Sequence, residues 1–259
     1  MVKFSIVMPV KDEVDVLKFS LPSIYALEPD EVIIPIEPFQ ESIEMVERTA
    51  RKCGYLGKTR IMVLHEKTPD WRFRQAYARR KGFQAARNDL ILTVDADIMV
   101  DSRIKPYFGL VGKNGIGLVS FGKFPYPLTF ARMMARIVQK AYSHHSFTGL
   151  YAFSKKAWQE TEDIESLKKI PRGEDTHLRG CLTKKYREIF IPGVKNIVLR
   201  PKESKRYQYL AGWNRWKIMK TDLWRTLVST FLYFRPFMLV GYLRARYGKT
   251  RHASEGQKL

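Results

Sequence analysis

The 259-residue chain is 45% apolar, enough to bury a core and to exclude an intrinsically disordered protein. With 46 Lys/Arg against 26 Asp/Glu its formal charge is +20, which calls for an anionic partner: nucleotide, nucleic acid or acidic membrane. Cys53 and Cys181 stand far apart, which argues against a zinc site or disulfide scaffold and fits a reducing, intracellular setting.

Short apolar runs alternate with helical periodicity through the first half. That alternation predicts an α/β fold, a mostly parallel Rossmann-like sheet flanked by helices. Strands are expected at Phe4–Met8, Glu31–Ile36, Arg60–Leu64 and Leu90–Val94, with helices at Val14–Ala26, Ser42–Cys53 and Arg72–Ala86. The chain enters the first strand almost directly from Met1, so no signal peptide is read. Later strands are expected at Gly115–Phe121, Phe147–Phe153 and Tyr186–Ile191, the last closed by Pro192-Gly193. Helices are expected from Leu128 to about Tyr142 and at Glu174–Thr183, the second with acids in its first turn, where the helix dipole favours them.

From Arg200 onward the chain carries fourteen Lys/Arg and three Asp/Glu, so the tail is its most basic part. Arg225, Arg235 and Arg244 break the apolar stretch 223–243 into runs of nine and eight uncharged residues. A spanning helix needs about 20. An amphipathic helix, broken near Pro236, is expected instead. Leu223, Leu227 and Phe231 with Trp224, Val228 and Leu232 form its apolar face, and Arg225, Thr226, Ser229 and Thr230 lie off it. That face either packs on the globular part or lies in a membrane interface with arginines toward phosphate headgroups. The organisation expected is 1–200 as the α/β domain, with 1–100 its nucleotide-binding half and 101–200 its acceptor-side half, and 201–259 as a basic helical tail.

Chemistry concentrates at the strand ends. Leu90–Val94 reads as a buried strand and runs into Asp95-Ala96-Asp97, beyond the carboxyl edge where open α/β sheets bind ligands. Side chains two apart on an extended segment point the same way, so both acids can face one hard cation, Mg2+ or Mn2+, whose remaining ligands are phosphate oxygens. The plain alternative is an Asp pair capping the next helix. Upstream, Ile6–Glu13 is a strand, a proline turn and acids opening a helix; Ile33–Pro38 ends a strand in Glu37; and Ala78-Arg79-Arg80-Lys81-Gly82 lies on the helix before Asp95.

Together these pieces resemble the donor half of the inverting family 2 glycosyltransferases of the A-type fold. That pattern is P-x-x-N/D-E, a strand ending in an acid, A-R-N-x-G on a helix, then D-x-D. Thr148-Gly149 before Tyr151-Ala152-Phe153 is similar to the acceptor-side strand of the family, and Glu174-Asp175 to its E-D-x-x-L element. The resemblance implies Pro9, Glu13, Glu37, Arg79, Asp95 and Asp97 around a nucleoside diphosphate sugar (a UDP- or GDP-sugar), with Asp95 and Asp97 on the metal. Asp97 is expected as the direct ligand, with Asp95 holding the ribose or reaching the ion through water. The resemblance implies Thr148, Gly149 and Glu174 on the acceptor side and Asp175 as general base. Glu37 replaces the usual Asp, and Arg80 the Asn. The Q-x-x-R-W element of polymer synthases is distorted to Gln208 followed by Arg215-Trp216, so transfer of single sugars is expected.

Bland readings stand beside these. Glu13 can simply favour the helix dipole, Arg79 and Arg80 can form a solvated basic face, and His144-His145 can be structural. Arg79, if functional, either meets the diphosphate or pins Asp95. The expected acceptor is a glycan or a lipid-linked group at a peripheral, anionic, cytoplasmic membrane face. The other classes weighed are a nucleic-acid-binding protein, disfavoured because no recognition signature is present, and a nucleotidyltransferase, disfavoured because Pro9–Glu13 contains no glycine.

Overall fold

A computed structural model describes residues 2–65, 74–126, 149–170, 173–199, 208–209, 212–213, 215–216, 222–233 and 236–247. The expected helix 128–142, His144-His145 and Thr148 lie outside the described residues. The chain divides into two compact units, Met1–Pro127 with Ser143–Leu199, and Leu128–Tyr142 with Arg200–Leu259.

The first unit is built on one eight-stranded sheet. Its elements are β1 (Phe4–Val7), α1 (Val14–Tyr25), β2 (Glu31–Ile36), α2 (Gln40–Lys52), β3 (Thr59–Val63), α3 (Arg74–Ala85), β4 (Leu90–Val94), β5 (Ile98–Met99), β6 (Ile116–Tyr126), β7 (Leu150–Ser154), α4 (Lys155–Thr161), α5 (Ile164–Lys169), α6 (Glu174–Leu182) and β8 (Arg187–Leu199). The strand order is β3-β2-β1-β4-β7-β6-β8-β5. β3, β2, β1 and β4 run parallel, β7 is antiparallel to β4 and β6, β6 and β8 are parallel, and β5 is antiparallel to β8. This is the expected layered α/β architecture with a more mixed second half.

Burial on both faces of the sheet explains the continuous apolar runs of β1, β2 and β4. Phe4, Ile6, Val32 and Ile34 pack with Leu17, Leu21 and Val46 on one side; Val7, Ile33 and Ile91 pack with Phe83 and Trp158 on the other. Strand periodicity of two thus sorts each strand between two cores. α3 approaches the sheet very closely: a Cβ on Gly82 would overlap Val7 Cγ1 and lie 3.0 Å from Pro35 Cγ. Glycine is therefore what lets the helix bearing Arg79 settle onto β1 and β2.

One expected boundary is corrected. Pro192-Gly193 does not end a strand, because β8 bulges there and resumes, pairing Phe121 with Ile191 and then Lys123 with Asn196. Asn196, fully buried, secures the irregularity: its Nδ2 donates to Gly122 O (2.8 Å) and its Oδ1 accepts from Asp101 N (2.9 Å). The resumed strand pairs with β5, and Leu199 N donates to Asp97 O (2.7 Å). The turn holding Asp97 is thereby tied to a strand end about a hundred residues later.

In the second unit, α7 (Leu223–Tyr233) and α8 (Pro236–Tyr247) divide as the proline predicts. The sequence left open whether the apolar face of α7 is packed or exposed, and its largest side chains are exposed. Thr226 and Thr230 are buried, whereas Trp224 and Phe231 are exposed. The hydroxyls tolerate burial because Thr226 Oγ1 donates to Asp222 O (3.3 Å) and Thr230 Oγ1 to Thr226 O (2.8 Å). α8 packs by small residues: a Cβ on Gly241 would overlap the Tyr209 carbonyl, and one on Gly212 the Met238 carbonyl. Trp216 meets Tyr242 edge-on at 5.7 Å, and the Arg246 guanidinium lies 5.0 Å from the Trp216 ring centroid. No helix among the described residues is long and apolar enough to cross a membrane.

Candidate active site

The carboxyl ends of β1, β2 and β4 converge. Pro9 is buried where β1 ends, and past it Val10 N donates to Pro35 O (2.9 Å) while Glu37 N donates to Val10 O (3.0 Å). The missing donor of the proline costs nothing at a strand end. The link fastens the turn leading to Glu13 beside the turn carrying Glu37. Glu13 opens α1 without capping it; its carboxylate accepts from Lys11 N (3.2 Å).

Asp95 and Asp97 are half-buried around a buried Ala96. Neither caps a helix; Asp101 does that, accepting from Arg103 N at 3.0 Å. The register Val94↔Leu150 brings Asp95 beside Gly149, whose carbonyl accepts from Asp95 N (2.7 Å). Gly149 adopts φ +76°, and a Cβ there would collide with the Asp95 carboxylate. Only a residue without a side chain fits both conditions.

Arg79 joins Asp95 to the later acidic pair, Glu174 and Asp175. Fully buried on α3, its guanidinium forms ion pairs with Asp95, with Asp175 and, at 2.7 Å, with Glu174. Burial by itself would lower its pKa; Asp175, then Asp95 and Glu174, overcome that and hold it well above the ordinary arginine range. The solvated-face reading of Arg79 and Arg80 is thus corrected, and Arg79 pins Asp95. Its Nε is a buried donor without a partner among the described residues.

Asp175 is held from three directions. Arg79 and the Tyr151 hydroxyl (2.8 Å) donate to Oδ1, and Gly149 N donates to Oδ2 (3.2 Å). A carboxylate has about four acceptor sites. Among the described residues, these three donors leave one site, on Oδ2. Burial, opposed chiefly by Arg79 and reinforced by Asp175, raises the Glu174 pKa. Burial and then Asp175 push the Tyr151 phenol far up, so it is a fixed donor at neutral pH.

Several partners carry no sequence pattern. Arg80 pairs with Glu162, to which Trp158 Nε1 also donates, and its Nη2 lies 3.5 Å from Glu174 O. Arg80 thus ties α3 to the end of α4. Arg74 pairs with Glu37 and donates to Leu64 O (2.7 Å). Tyr151 was legible only as part of a strand, and its hydroxyl contact depends on α6 bringing Asp175 to it.

Glu13 lies within electrostatic reach of the aspartates. Burial raises its pKa to about 7; the Lys11 backbone bond opposes this, and Asp97 and then Asp95 reinforce it. A cation would relieve this accumulation of negative charge. Hard carboxylate oxygens suit Mg2+ or Mn2+, and Asp97 and Asp95 are the residues that could hold one. Among the described residues no cluster of three or more His, Cys, Asp or Glu forms a complete metal cage.

No protein-family model matches the sequence, and no curated protein matches it. The three-dimensional likenesses are clear. M. tuberculosis glucosyl-3-phosphoglycerate synthase matches at TM-score 0.51 and 17% identity, over 78% of this chain and 73% of that one. GalNAc-T7, solved with UDP, GalNAc and Mn2+, matches at TM-score 0.57 and 13% identity, over 87% and 50%. The chain has the A-type fold of these glycosyltransferases. It is also similar to 4-diphosphocytidyl-2C-methyl-D-erythritol synthase from Anaerococcus prevotii, at TM-score 0.50 and 14% identity over 73% and 88%. Fold alone therefore does not select the reaction.

Proposed function

We propose that the chain is a metal-dependent, inverting glycosyltransferase. It moves a sugar from a UDP- or GDP-sugar to an acceptor hydroxyl or lipid phosphate at the cytoplasmic surface of a membrane. The observation that carries this reading is the Arg79 guanidinium, which gathers Asp95 of the D-x-D turn and the Glu174-Asp175 pair into one buried cluster.

Asp97 and Asp95 would hold the cation. When bound, that cation supplies electrostatic stabilisation of the diphosphate leaving group. The other roles belong to the chain. Glu13 and Glu37 accept hydrogen bonds from ribose or base donors, and Arg74 orients Glu37. Arg79 keeps Asp95 fixed. The acceptor oxygen forms a bond to the anomeric carbon as the bond from that carbon to the diphosphate oxygen breaks. Asp175 takes the acceptor proton on the site left open on Oδ2. Glu174 and the Gly149 turn position the acceptor, as Thr148 would from its place outside the described residues. Attack opposite the leaving group with a single base inverts the anomeric configuration. A lipid phosphate already carries a nucleophilic oxygen and needs the base less.

Thermal unfolding with UDP, GDP, CDP and dTDP, each with and without Mn2+, tests the reading, since a ligand of the native state raises the midpoint. One diphosphate should stabilise the chain in a Mn2+-dependent way, and Asp97→Ala should cut Mn2+-stimulated hydrolysis of the matching sugar nucleotide by about a hundredfold. Wild-type hydrolysis rates in that variant would end the metal role. Stabilisation by nucleoside triphosphates alone would favour nucleotidyl transfer, and by oligonucleotides alone, nucleic-acid binding.

A further inference from the structure

α8 shows two unlike faces. Met238, Gly241, Tyr242 and Ala245 are buried, whereas Pro236, Val240, Leu243 and Tyr247 are exposed at spacings of four, three and four residues. These spacings draw one stripe along the helix. α7 repeats the pattern with Trp224 and Phe231, seven residues apart and with half-buried Val228 between them. Trp224 is 73% exposed, Phe231 74%, Tyr247 65% and Val240 51%. Large side chains left this open, on consecutive helices of one compact unit, differ from scattered surface apolar residues.

The charges beside the stripes identify what covers them. Arg225 adjoins Trp224 on α7, and Arg244 and Arg246 flank Leu243 and Tyr247 on α8, all three exposed. Neither helix contains an acidic residue. From residue 200 onward the chain has fourteen Lys/Arg and three Asp/Glu. A second copy would bring the same positive charge to the interface, so self-association is opposed electrostatically. An anionic bilayer offers an apolar layer for Trp224, Phe231, Val240 and Leu243 and phosphates for the arginines directly above it. Tryptophan and tyrosine favour that boundary because their rings are apolar and their tips polar.

We propose that the exposed stripes of α7 and α8 are a membrane-docking surface: both helices lie in the interface of an anionic bilayer, with Trp224 and Phe231 as the principal anchors. This gives residues to the membrane-surface part of the functional reading and rests on that part alone. Lipid binding and sugar-nucleotide binding are read separately, so either can fail without the other.

The test is co-sedimentation of the full-length chain with vesicles of phosphatidylcholine, with and without phosphatidylglycerol. Wild type should partition to the anionic vesicles, and a Trp224→Ser/Phe231→Ser variant should bind at least about tenfold more weakly, given the apolar surface removed. Both positions are largely exposed, so folding should survive; an unchanged thermal midpoint and Mn2+-dependent UDP or GDP response verify that. A Val240→Ser/Leu243→Ser variant should weaken binding by the second stripe independently. Vesicle binding unchanged in both variants would overturn the proposal. So would a wild-type dimer in sedimentation equilibrium that the variants abolish, since a second copy would then own the surface.

Discussion

Replacing Arg79 with methionine keeps an unbranched apolar stem and deletes the charge shared by three carboxylates. Breaking a buried ion pair from one side typically costs about 3–5 kcal/mol because the remaining charge is stranded. The cost has a ceiling, since a stranded carboxylate can take a proton instead. Glu174 starts from an ordinary value of 4.5 and is already raised by burial, with Arg79 the main opposing influence. Without the guanidinium it stays neutral well above its unfolded pKa. Holding a proton costs about 1.4 kcal/mol per pH unit above that value. For Glu174 alone the ceiling is therefore roughly 5 kcal/mol at about pH 8 and under about 1 kcal/mol at about pH 5.

The sign follows from linkage. An acid whose folded pKa exceeds its unfolded one favours the fold fully below the unfolded value, and this contribution is lost as pH rises through the folded value. The deficit of R79M should accordingly grow from about pH 5 to about pH 8. At the higher pH that ceiling corresponds to a midpoint lower by at most roughly 10–20 °C for a chain of this size. Urea unfolding of both proteins at the two pH values, in EDTA and followed by circular dichroism, measures it. A deficit equal at both pH values, or no deficit at about pH 8, would refute the stranded-charge account.

Two further substitutions probe the same region. Gly149→Ala places a methyl group against the Asp95 carboxylate at a left-handed backbone position, so it should destabilise the fold by about 1–3 kcal/mol. It should also weaken Mn2+-dependent nucleotide stabilisation more than Gly112→Ala, a substitution at another left-handed glycine whose Cβ would meet nothing within 4 Å. Glu13, raised by burial to about 7, favours the fold below about pH 4.5 and loses that contribution as pH climbs through about 7. Glu13→Gln should therefore gain on wild type by at most about 3 kcal/mol between those limits in EDTA, measured as the difference in unfolding free energy. A constant difference across that range would separate Glu13 from the acidic strand ends.

Much of the first unit was legible because its signals are local. β2 and β4 lie where the apolar runs set them, and Gly82 sits where α3 must touch the sheet. The acids at the ends of β2 and β4 follow from the same reading, since a strand's direction fixes which end faces the ligand. β8 was read short because Pro192-Gly193 is a local stop signal overridden by pairing with β6 and by Asn196. On α7, helical periodicity correctly marked two faces but left open whether the apolar one is packed or exposed, and Trp224 and Phe231 are exposed. Thr226 and Thr230 satisfy their hydroxyls on their own helix, which removes the penalty that hydropathy charges them.

The order and spacing of residues by themselves determined the layered α/β arrangement, the strand-end acids and the basic helical tail, because periodicity and strand direction are properties of short segments. Only the tertiary structure decided that Arg79 would sit in one buried cluster with Asp95, Glu174 and Asp175, that Arg80 would pair with Glu162, and that Trp224 and Phe231 would face outward. Arg79 is 96 residues from Asp175. Whether an arginine is solvated or shared among carboxylates depends on which chain segments close over it, and a one-dimensional pattern carries no record of that.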